Sequence, residues 1–321
     1  MSPTSALHNP IFLHYIAIVA TLLLIAGAVL ALLQCLFRVE LGSVWKTWQS
    51  WLWMAPLAAL AISAGRAVFI CSVAALALLG FREFARASAL KNKPALKLAV
   101  SAGIIGIGIA AIVNAGFAGA SLGAIVLISL VATVAGGVDP GSKQRAGSAG
   151  VSAPGYNTDA FASAMVAFVF FGTMFGQLAF LANSRNAYGY LCFLLFATET
   201  SDVAAFVFGR TLGRHPLQPA ISPRKTVEGS LGALFVALAL PWLLRFSFPN
   251  FSALQLVLTG LVVGLGGQLG DLTFSLLKRG RGLKDWGDAI PGHGGVLDRI
   301  DSLIFVAPLF TLLTAYYDQG R

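Results

Sequence analysis

The sequence predicts an all-α polytopic membrane protein with about nine transmembrane helices. Of its 321 residues, 57% are hydrophobic and only 11% are charged, and the mean hydropathy is +0.80. An ordinary soluble domain is about 45–50% apolar and about 25% charged. This composition argues against a soluble globular enzyme, and the abundance of apolar residues excludes intrinsic disorder. The three cysteines lie inside apolar runs without metal or redox spacing, so we interpret them as small buried apolar residues.

Nine apolar runs are long enough, or nearly so, to cross about 30 Å of hydrocarbon, which takes about 20 helical residues. Several are rich in glycine and alanine, which lets helix backbones approach closely. No basic segment precedes the first run and no small-residue cleavage site follows it, so we interpret it as a retained span. The predicted spans are 11–37, 53–80, 96–113, 122–138, 161–182, 188–209, 230–246, 254–274 and 300–317.

Two segments complicate this division. The second run contains Arg66 near its middle, where a charge is costly in hydrocarbon, so it is either one long tilted helix or two short helices that meet at Gly65. Residues 139–159 are rich in Gly, Ser, Pro and Ala, which predicts a flexible loop. We use this loop to divide the chain into N-terminal membrane helices, residues 1–159, and a C-terminal catalytic membrane region, residues 160–321.

The loop charges predict the orientation of the chain. Lysine and arginine crowd alternate loops, whereas the loops between them carry at most one basic residue each, such as Arg185 or Arg245. The positive-inside rule therefore places the basic loops in the cytoplasm, and nine spans place the N-terminus there too. This orientation places two basic residues, Arg38 and Lys46, on the outside, which does not agree with the rule. We attribute the net charge of +9 to loops near anionic headgroups, not to a nucleic-acid partner. The basic loops are 82–97, 139–159, 210–228 and 278–299.

Two carboxylates lie within the sixth predicted span. Glu199 and Asp202 are surrounded in sequence by apolar residues, where an acid is costly. They indicate a polar interior cavity, or else structural pairing with a basic residue of another helix.

The segment 222–229 resembles an anion site at the start of a helix. Thr226 or Ser222 can cap the following helix, and the free backbone N–H groups there attract phosphate. Lys225 adds a point charge, and Arg224 adds a forked donor that suits phosphate oxygens. An ordinary basic loop with a helix cap explains the same residues equally well.

A second cluster of charges lies between the eighth and ninth predicted spans, with five acids among five bases. Asp271 and Ser275 are four residues apart, so a helix places them on one face, with Lys278 one turn further on. Asp298 and Asp301 are three apart and likewise share a face. Carboxylate oxygens suit Mg²⁺, which usually keeps waters and completes its shell with substrate phosphates. The alternative is a salt-bridge network that closes one end of the bundle.

These residues resemble the C-terminal pattern of the phosphatidate cytidylyltransferase family, also called CDP-diacylglycerol synthases. The family pattern is Ser, any residue, an aliphatic, Lys-Arg, four residues, Lys-Asp, then Pro-any-His-Gly-Gly, two mostly aliphatic residues, Asp-Arg, an aliphatic and Asp. An upstream family element matches at Asp202, Gly209, Arg210 and 222–229. The C-terminal matches are Ser275, Lys278, Arg279, Lys284, Asp285, Pro291, His293, Gly294, Gly295, Asp298, Arg299 and Asp301.

The resemblance covers residues 190–317 well. Over the first 180 residues, only the number of spans and the segment 82–84 are similar to the family. The chain departs from the pattern at Phe274, Arg224 and Phe206, where the family usually has Glu, Lys and Tyr.

The resemblance implies that the chain transfers the cytidylyl group of CTP to phosphatidic acid of the inner leaflet, giving CDP-diacylglycerol and pyrophosphate. It also implies Mg²⁺ as cofactor, with a second cation left open, and a site at the cytoplasmic ends of the C-terminal helices in the cell inner membrane. By resemblance, Asp271 and Asp298 are metal ligands, and Asp271, Lys278, Asp298 and Arg299 are catalytic. The substrate-binding candidates are Ser222, Arg224, Lys225, Thr226, Ser275, Arg279, Lys284, His293, Gly294 and Gly295, with Asp202, Asp285 and Asp301 as further candidates.

Two other classes of protein stay open at this point. A CTP-dependent polyprenol or lipid kinase would also use Mg²⁺ and CTP, but it would release CDP instead of pyrophosphate. An ion-coupled transporter would hold its acids near the bilayer midplane and would usually show an inverted repeat. Here the charges lie mostly at cytoplasmic helix ends and no repeat is visible, which counts against a transporter. The acyl-chain preference and the formation of a homodimer also stay open.

Overall fold

The structure is a computed structural model that describes residues 1–37, 42–135, 158–289 and 294–319. Most of the described chain is helical, and it contains one two-stranded antiparallel hairpin. The elements are α1 (Pro3–Leu7), α2 (Pro10–Phe37), α3 (Gly42–Ser63), α4 (Arg66–Arg86), α5 (Pro94–Ile112), α6 (Phe117–Ala135), α7 (Thr158–Ala167), a π-helical segment (Phe168–Met174), α8 (Gln177–Leu181), α9 (Ala187–Leu212), β1 (Pro216–Gln218), β2 (Ser222–Thr226), α10 (Val227–Leu243), a 3₁₀ turn (Arg245–Ser247), α11 (Ala253–Arg279) and α12 (Leu297–Gln319).

The predicted all-α polytopic membrane fold is confirmed. Within the described residues, seven helical stretches are long and apolar enough to cross a membrane. Two shorter apolar helices, Phe117–Thr133 and Val227–Leu243, coincide with the fourth and seventh predicted spans. The count of nine spans is not confirmed, because the second predicted span is two separate helices. Residues 139–157 of the predicted flexible loop lie outside the described residues, and α7 begins directly after them at Thr158.

The second predicted span is two helices, α3 and α4, that meet at Gly65. Gly65 has a φ of +106°, a backbone conformation that residues with a side chain rarely adopt. The Arg66 guanidinium donates to the Asn183 side chain and to the Ile112 carbonyl, both at 2.9 Å. Ile112 is the last residue of α5, where a cation is favourable because the carbonyls there lack helical partners. The charge predicted in mid-span therefore lies among helix ends.

The N-terminal helices begin at the end of the bundle that lies opposite the basic loops. The Tyr188 hydroxyl at the start of α9 donates to the Ser2 carbonyl at 3.0 Å, and Tyr15 of α2 forms a 2.7 Å hydrogen bond with Ser247. The prediction that the N-terminus shares a side with the basic loops is therefore wrong, because α3 is a separate helix that returns across the bundle. Lys46, at the start of α3, then lies towards the basic loops.

The four C-terminal helices pack closely where glycines face a neighbouring backbone. A Cβ at Gly229 of α10 would lie 2.7 Å from the Ala205 carbonyl oxygen of α9. A Cβ at Gly270 of α11 would collide with the Asp301 carbonyl oxygen of α12. Small residues at membrane helix interfaces permit such approach. As a result, the side chains next to Gly270 lie beside the first turns of α12.

The hairpin between α9 and α10 is fixed at its base by Glu228. The carboxylate accepts backbone N–H bonds from Arg214 and His215, at 3.1 and 3.3 Å, and bonds the His215 ring at 2.6 Å. Thr226 caps α10 by accepting the Gly229 N–H at 3.1 Å, as the sequence predicted for Thr226 or Ser222. The strand that carries Lys225 is thus held directly before the start of α10.

Replacing Gly270 with alanine should destabilise the protein, whereas the same change at Gly267 should not. At position 270 the added methyl would overlap the backbone of Asp301 and Ser302, and overpacking typically costs about 1–3 kcal/mol. At position 267 the nearest atoms across the interface would lie 3.9 Å away, which is ordinary van der Waals contact. Thermal unfolding of both variants in detergent measures the difference. Equal melting temperatures would contradict the close approach of α11 and α12.

Candidate active site

Three carboxylates from three helices meet at the end of the bundle that carries the basic loops. Asp202 of α9, Asp271 of α11 and Asp301 of α12 are near enough for their charges to interact. Ser302 lies between two of them, since its hydroxyl donates to Asp202 at 3.2 Å and its backbone N–H donates to Asp301 at 2.8 Å. Asp301 is buried, Asp271 is half-buried and Asp202 is accessible. Such a concentration of negative charge attracts cations.

The hairpin supplies one of these cations. The Lys225 ammonium forms an ion pair with Asp271, and both side chains are partly buried, at 25% and 34% exposure. The Ser275 hydroxyl donates to the other Asp271 oxygen at 3.3 Å, one helical turn away as the spacing predicted. The two clusters found in the sequence therefore meet in a single site, although about 45 residues of chain separate them.

A buried ion pair joins α11 to the start of α12. The Lys278 ammonium lies 2.8 Å from one oxygen of Asp298, and the two side chains are only 11% and 6% exposed. The other Asp298 oxygen accepts the backbone N–H groups of Trp286 and Gly295, at 3.0 and 2.9 Å. Both carboxylate oxygens of Asp298 are therefore engaged by protein donors. The structure thus groups Asp271 with Asp202 and Asp301 but pairs Asp298 with Lys278.

Arg299 stands on the inner side of this group. Its charge acts on both Glu199 and Asp202 of α9. Its Nε atom is buried and has no hydrogen-bond partner among the described residues. Buried polar groups are nearly always paired in folded proteins, so this N–H is available to an acceptor that the described residues do not supply.

Glu83 of α4 is a site residue whose role sequence reasoning missed. Its buried carboxylate accepts the backbone N–H groups of Val296 and Leu297, at 3.0 and 2.8 Å. It also occupies the space into which a Cβ at Gly295 would project. Glu83 thereby holds the glycine turn and the first turn of α12 in place. The only signal in the sequence was the likeness of residues 82–84 to the family. That likeness did not indicate which residues Glu83 contacts.

Aromatic residues anchor the loop that precedes the glycine turn. Trp286 is buried, with its ring centroid 5.7 Å from that of Phe84 and 6.4 Å from that of Phe274. The Arg281 guanidinium lies over the Phe84 ring at 5.1 Å, and burial lowers the pKa of Arg281. These contacts place the Trp286 backbone N–H where it bonds Asp298.

Arg279 connects the hairpin to α11. Its Nε donates to the Ile221 carbonyl and its Nη1 to the Leu283 carbonyl, each at 3.1 Å. Its side chain is exposed, so it lies at the rim of the site between the hairpin and the loop after α11.

The remaining predicted site residues differ in their exposure. Ser222 is half-buried at the start of β2, and Gly294 has a φ of +81°, which suits a glycine. His293 lies outside the described residues. The exposed members of the set are Arg224, Lys284 and Asp285.

A closed protein cage for a metal ion is absent from the described part of the chain. No three His, Cys, Asp or Glu side chains there approach closely enough to hold an ion between them. Mg²⁺ commonly uses one or two carboxylates together with waters and substrate phosphates, so Asp271 is the described carboxylate that could take part in holding it.

The fold and the site together define a class of protein: a multi-pass α-helical membrane protein with a carboxylate group flanked by lysine and arginine at one end of its bundle. The sequence model of the cytidylyltransferase family matches residues 45–317, and the chain belongs to this family. The resemblance inferred from the motifs is thereby confirmed.

Named relatives agree with this membership. Phosphatidate cytidylyltransferase of Staphylococcus haemolyticus (strain JCSC1435) is 40% identical over 155 residues, and that of Staphylococcus aureus (strain COL) is 41% identical over 156 residues. Each match covers 48% of this chain and 58% of the relative, so the chain spans little more than half the length of these relatives. The uncharacterized protein YnbB of Escherichia coli (strain K12) is 42% identical over 124 residues, which is 39% of this chain and 42% of that protein.

Replacing Glu83 with alanine should loosen the glycine turn and the loop before it. The change leaves the buried N–H groups of Val296 and Leu297 without an acceptor, which costs about 1–3 kcal/mol for each such group. Trypsin should then cleave after Lys284 faster than in the wild-type protein. Arg82→Ala, at the exposed neighbouring position, is the control and should leave the cleavage rate unchanged. Equal rates for Glu83→Ala and the wild type would show that Glu83 does not hold this region.

Proposed function

We propose that this chain transfers the cytidylyl group of CTP to phosphatidic acid and releases pyrophosphate, giving CDP-diacylglycerol. The observation that carries the proposal is the meeting of Lys225 with Asp271 beside Asp202 and Asp301 in a chain of the cytidylyltransferase family. The names of the staphylococcal relatives support the choice of phosphatidic acid as the acceptor.

The proposed reaction needs positioning and charge neutralisation more than covalent help. A phosphate oxygen of phosphatidic acid attacks the α-phosphorus of CTP, a new P–O bond forms, and the bond to the β-phosphate oxygen breaks as pyrophosphate leaves. Both reactants are anions, so their approach requires cations on several sides. Lys225, Lys278 and Arg299 surround the carboxylate group and supply them. The unpaired Arg299 Nε is placed to donate to a phosphate oxygen.

The carboxylate group fits Mg²⁺ carried in with the phosphates. Asp271 contacts two side chains, Lys225 and Ser275, both of which can turn away without a change in the backbone. Asp271, with Asp202 and Asp301 nearby, would hold Mg²⁺, which would supply charge neutralisation for the departing pyrophosphate. Asp298 is held by Lys278 and two backbone N–H groups, so we assign it mainly to positioning Lys278 and the glycine turn. Its predicted role as a metal ligand requires that Lys278 leave it.

We further propose that the end of the bundle with the site faces the cytoplasm, in the plasma membrane of a bacterium. The basic residues concentrate in loops at this end, and such residues are retained on the cytoplasmic side. CTP would enter from the cytoplasm, and phosphatidic acid would enter from the inner leaflet.

An assay of the purified full-length chain tests the proposed activity. Incubation with CTP labelled at the α-phosphate, phosphatidic acid and Mg²⁺ should give a labelled CDP-lipid and free pyrophosphate. A second incubation uses CTP labelled at the γ-phosphate. Transfer of this label to the lipid, with release of CDP, would identify a lipid kinase instead. Absence of any lipid product across a range of Mg²⁺ and lipid concentrations would refute the proposal.

Asp271→Asn should lower kcat about 100-fold or more, the scale on which losing one electrostatic partner of a transition state acts. Asp288→Asn removes an exposed carboxylate from the nearby loop and serves as the matched control, with kcat close to that of the wild type. Both rates are measured as CDP-lipid formed at saturating CTP and Mg²⁺. If the two variants retained equal activity, Asp271 would not belong to the reacting group.

Cysteine labelling tests the orientation. On a background without Cys35, Cys71 and Cys192, a cysteine at the exposed position Gly282 should react with a membrane-impermeant thiol reagent only after the membrane is opened. Cysteines at Asn250 and at Thr4, both exposed at the opposite end of the bundle, should react in intact cells. Labelling of position 282 from outside would place the site away from CTP and would overturn the proposed orientation.

A further inference from the structure

An apolar groove of about 440 Å³ lies between the β-hairpin and α11. This volume is within the range of about 300–1,000 Å³ that small-molecule sites occupy. Leucine and isoleucine side chains form most of its wall. The lining residues are Leu217, Gln218, Ile221, Leu265, Gln268, Leu269 and Leu272.

The groove runs along α11, and one end of it lies at the same level of the helix as Asp271. Leu272 directly follows Asp271, and Ile221 directly precedes the segment 222–229. The Ile221 carbonyl is the one that accepts from Arg279, so an exposed cation stands at this end of the groove. From Leu272 to Leu265 the helix rises about 10 Å, at about 1.5 Å per residue. The groove therefore leads from the charged rim towards the middle of a membrane-crossing helix.

The chemistry of the wall suits hydrocarbon better than a polar group. Leu265 and Leu269 are 47% and 54% exposed on α11, a helix that is long and apolar enough to cross a membrane, so the groove opens towards lipid tails. Gln218 and Gln268 are the two polar side chains in the lining. The Gln268 amide donates one N–H to the Ser230 carbonyl at 3.0 Å, which holds this side chain against the start of α10.

We propose that this groove holds an acyl chain of the lipid substrate while the lipid phosphate lies at Lys225 and the Arg279 rim. This inference rests on the proposed function and adds to it the path of the lipid. A phospholipid joins an anionic phosphate to an apolar chain, and the protein offers cations at one end of the groove and leucine along the rest. The anionic phosphate of the lipid matches the cationic end of the groove, and its acyl chain matches the apolar part. The acyl chain in the groove then directs the lipid phosphate towards Asp271, where the proposed reaction takes place.

Leu269→Trp tests this placement because the larger side chain fills the groove. The KM for dioleoyl phosphatidic acid should rise about tenfold, the lower end of the discrimination that a hydrophobic pocket achieves, while the KM for CTP and the KM for dihexanoyl phosphatidic acid stay within twofold. Leu254→Trp is the matched control, since Leu254 is an exposed leucine near the far end of the same helix and should leave all three values unchanged. Leu265→Trp gives a second groove variant should Leu269→Trp fail to fold, as judged by gel filtration.

Two results would overturn the inference. An unchanged KM for dioleoyl phosphatidic acid in both folded groove variants would mean that no acyl chain lies there. A raised KM for CTP with the lipid values unchanged would place the nucleotide base in the groove instead.

Photolabelling separates this inference from the proposed activity because it requires no turnover. Phosphatidic acid with a diazirine in the middle of its chain should label a peptide containing residues 265–272 in the wild type, and the yield should fall in Leu269→Trp. Labelling without any CDP-lipid product would refute the reaction but support the lipid path. CDP-lipid formation without labelling of this peptide would support the reaction and refute the groove.

Discussion

Three carboxylates at one end of a membrane helix bundle require compensating positive charge, and most of the site follows from that requirement. Helices α11 and α12 approach so closely at Gly270 that Asp271 and Asp301 must share one region. Like charges in a poorly solvated place repel strongly, so the surrounding elements bring cations to them. The hairpin contributes Lys225, and α12 contributes Arg299. The same arrangement gives the anionic substrates of a cytidylyltransferase a place where their charge is balanced.

The N-terminal half of the chain contributes to this site through Glu83 and Phe84 of α4. Glu83 reaches from α4 to the glycine turn and bonds two N–H groups at the start of α12, where a negative charge is also favourable to the helix dipole. Phe84, its neighbour, packs against Trp286, and the Trp286 backbone in turn bonds Asp298. The positions of Asp298 and Lys278 therefore depend on a helix of the N-terminal half of the chain.

Sequence reasoning succeeded where a property is local to one helix. The composition predicted the membrane fold, and the four-residue spacing correctly placed Ser275 beside Asp271. It could not tell which helices are neighbours, because helical periodicity defines a face but not the partner of that face. The spacing therefore gave no sign that Asp202 of α9 and Asp301 of α12 lie near Asp271. The family resemblance supplied Asp271 and Asp298 as metal ligands, and that assignment stays a prediction. The predicted topology was wrong for a similar reason. The break between α3 and α4 falls at a single residue, Gly65, within an apolar run. Because this break adds one helix, it reverses the side of the membrane on which the chain begins.

The hairpin also constrains how deep the protein lies in the membrane. Its two strands pair only with each other, so their outer edges keep backbone N–H and C=O groups that hydrocarbon cannot satisfy. Those edges must meet water, headgroups or the polar site, and the depth of the protein in the bilayer is constrained accordingly. Lys225 lies on the second of these strands, so the same constraint keeps Lys225 and its partner Asp271 at an end of the bundle that meets water or headgroups.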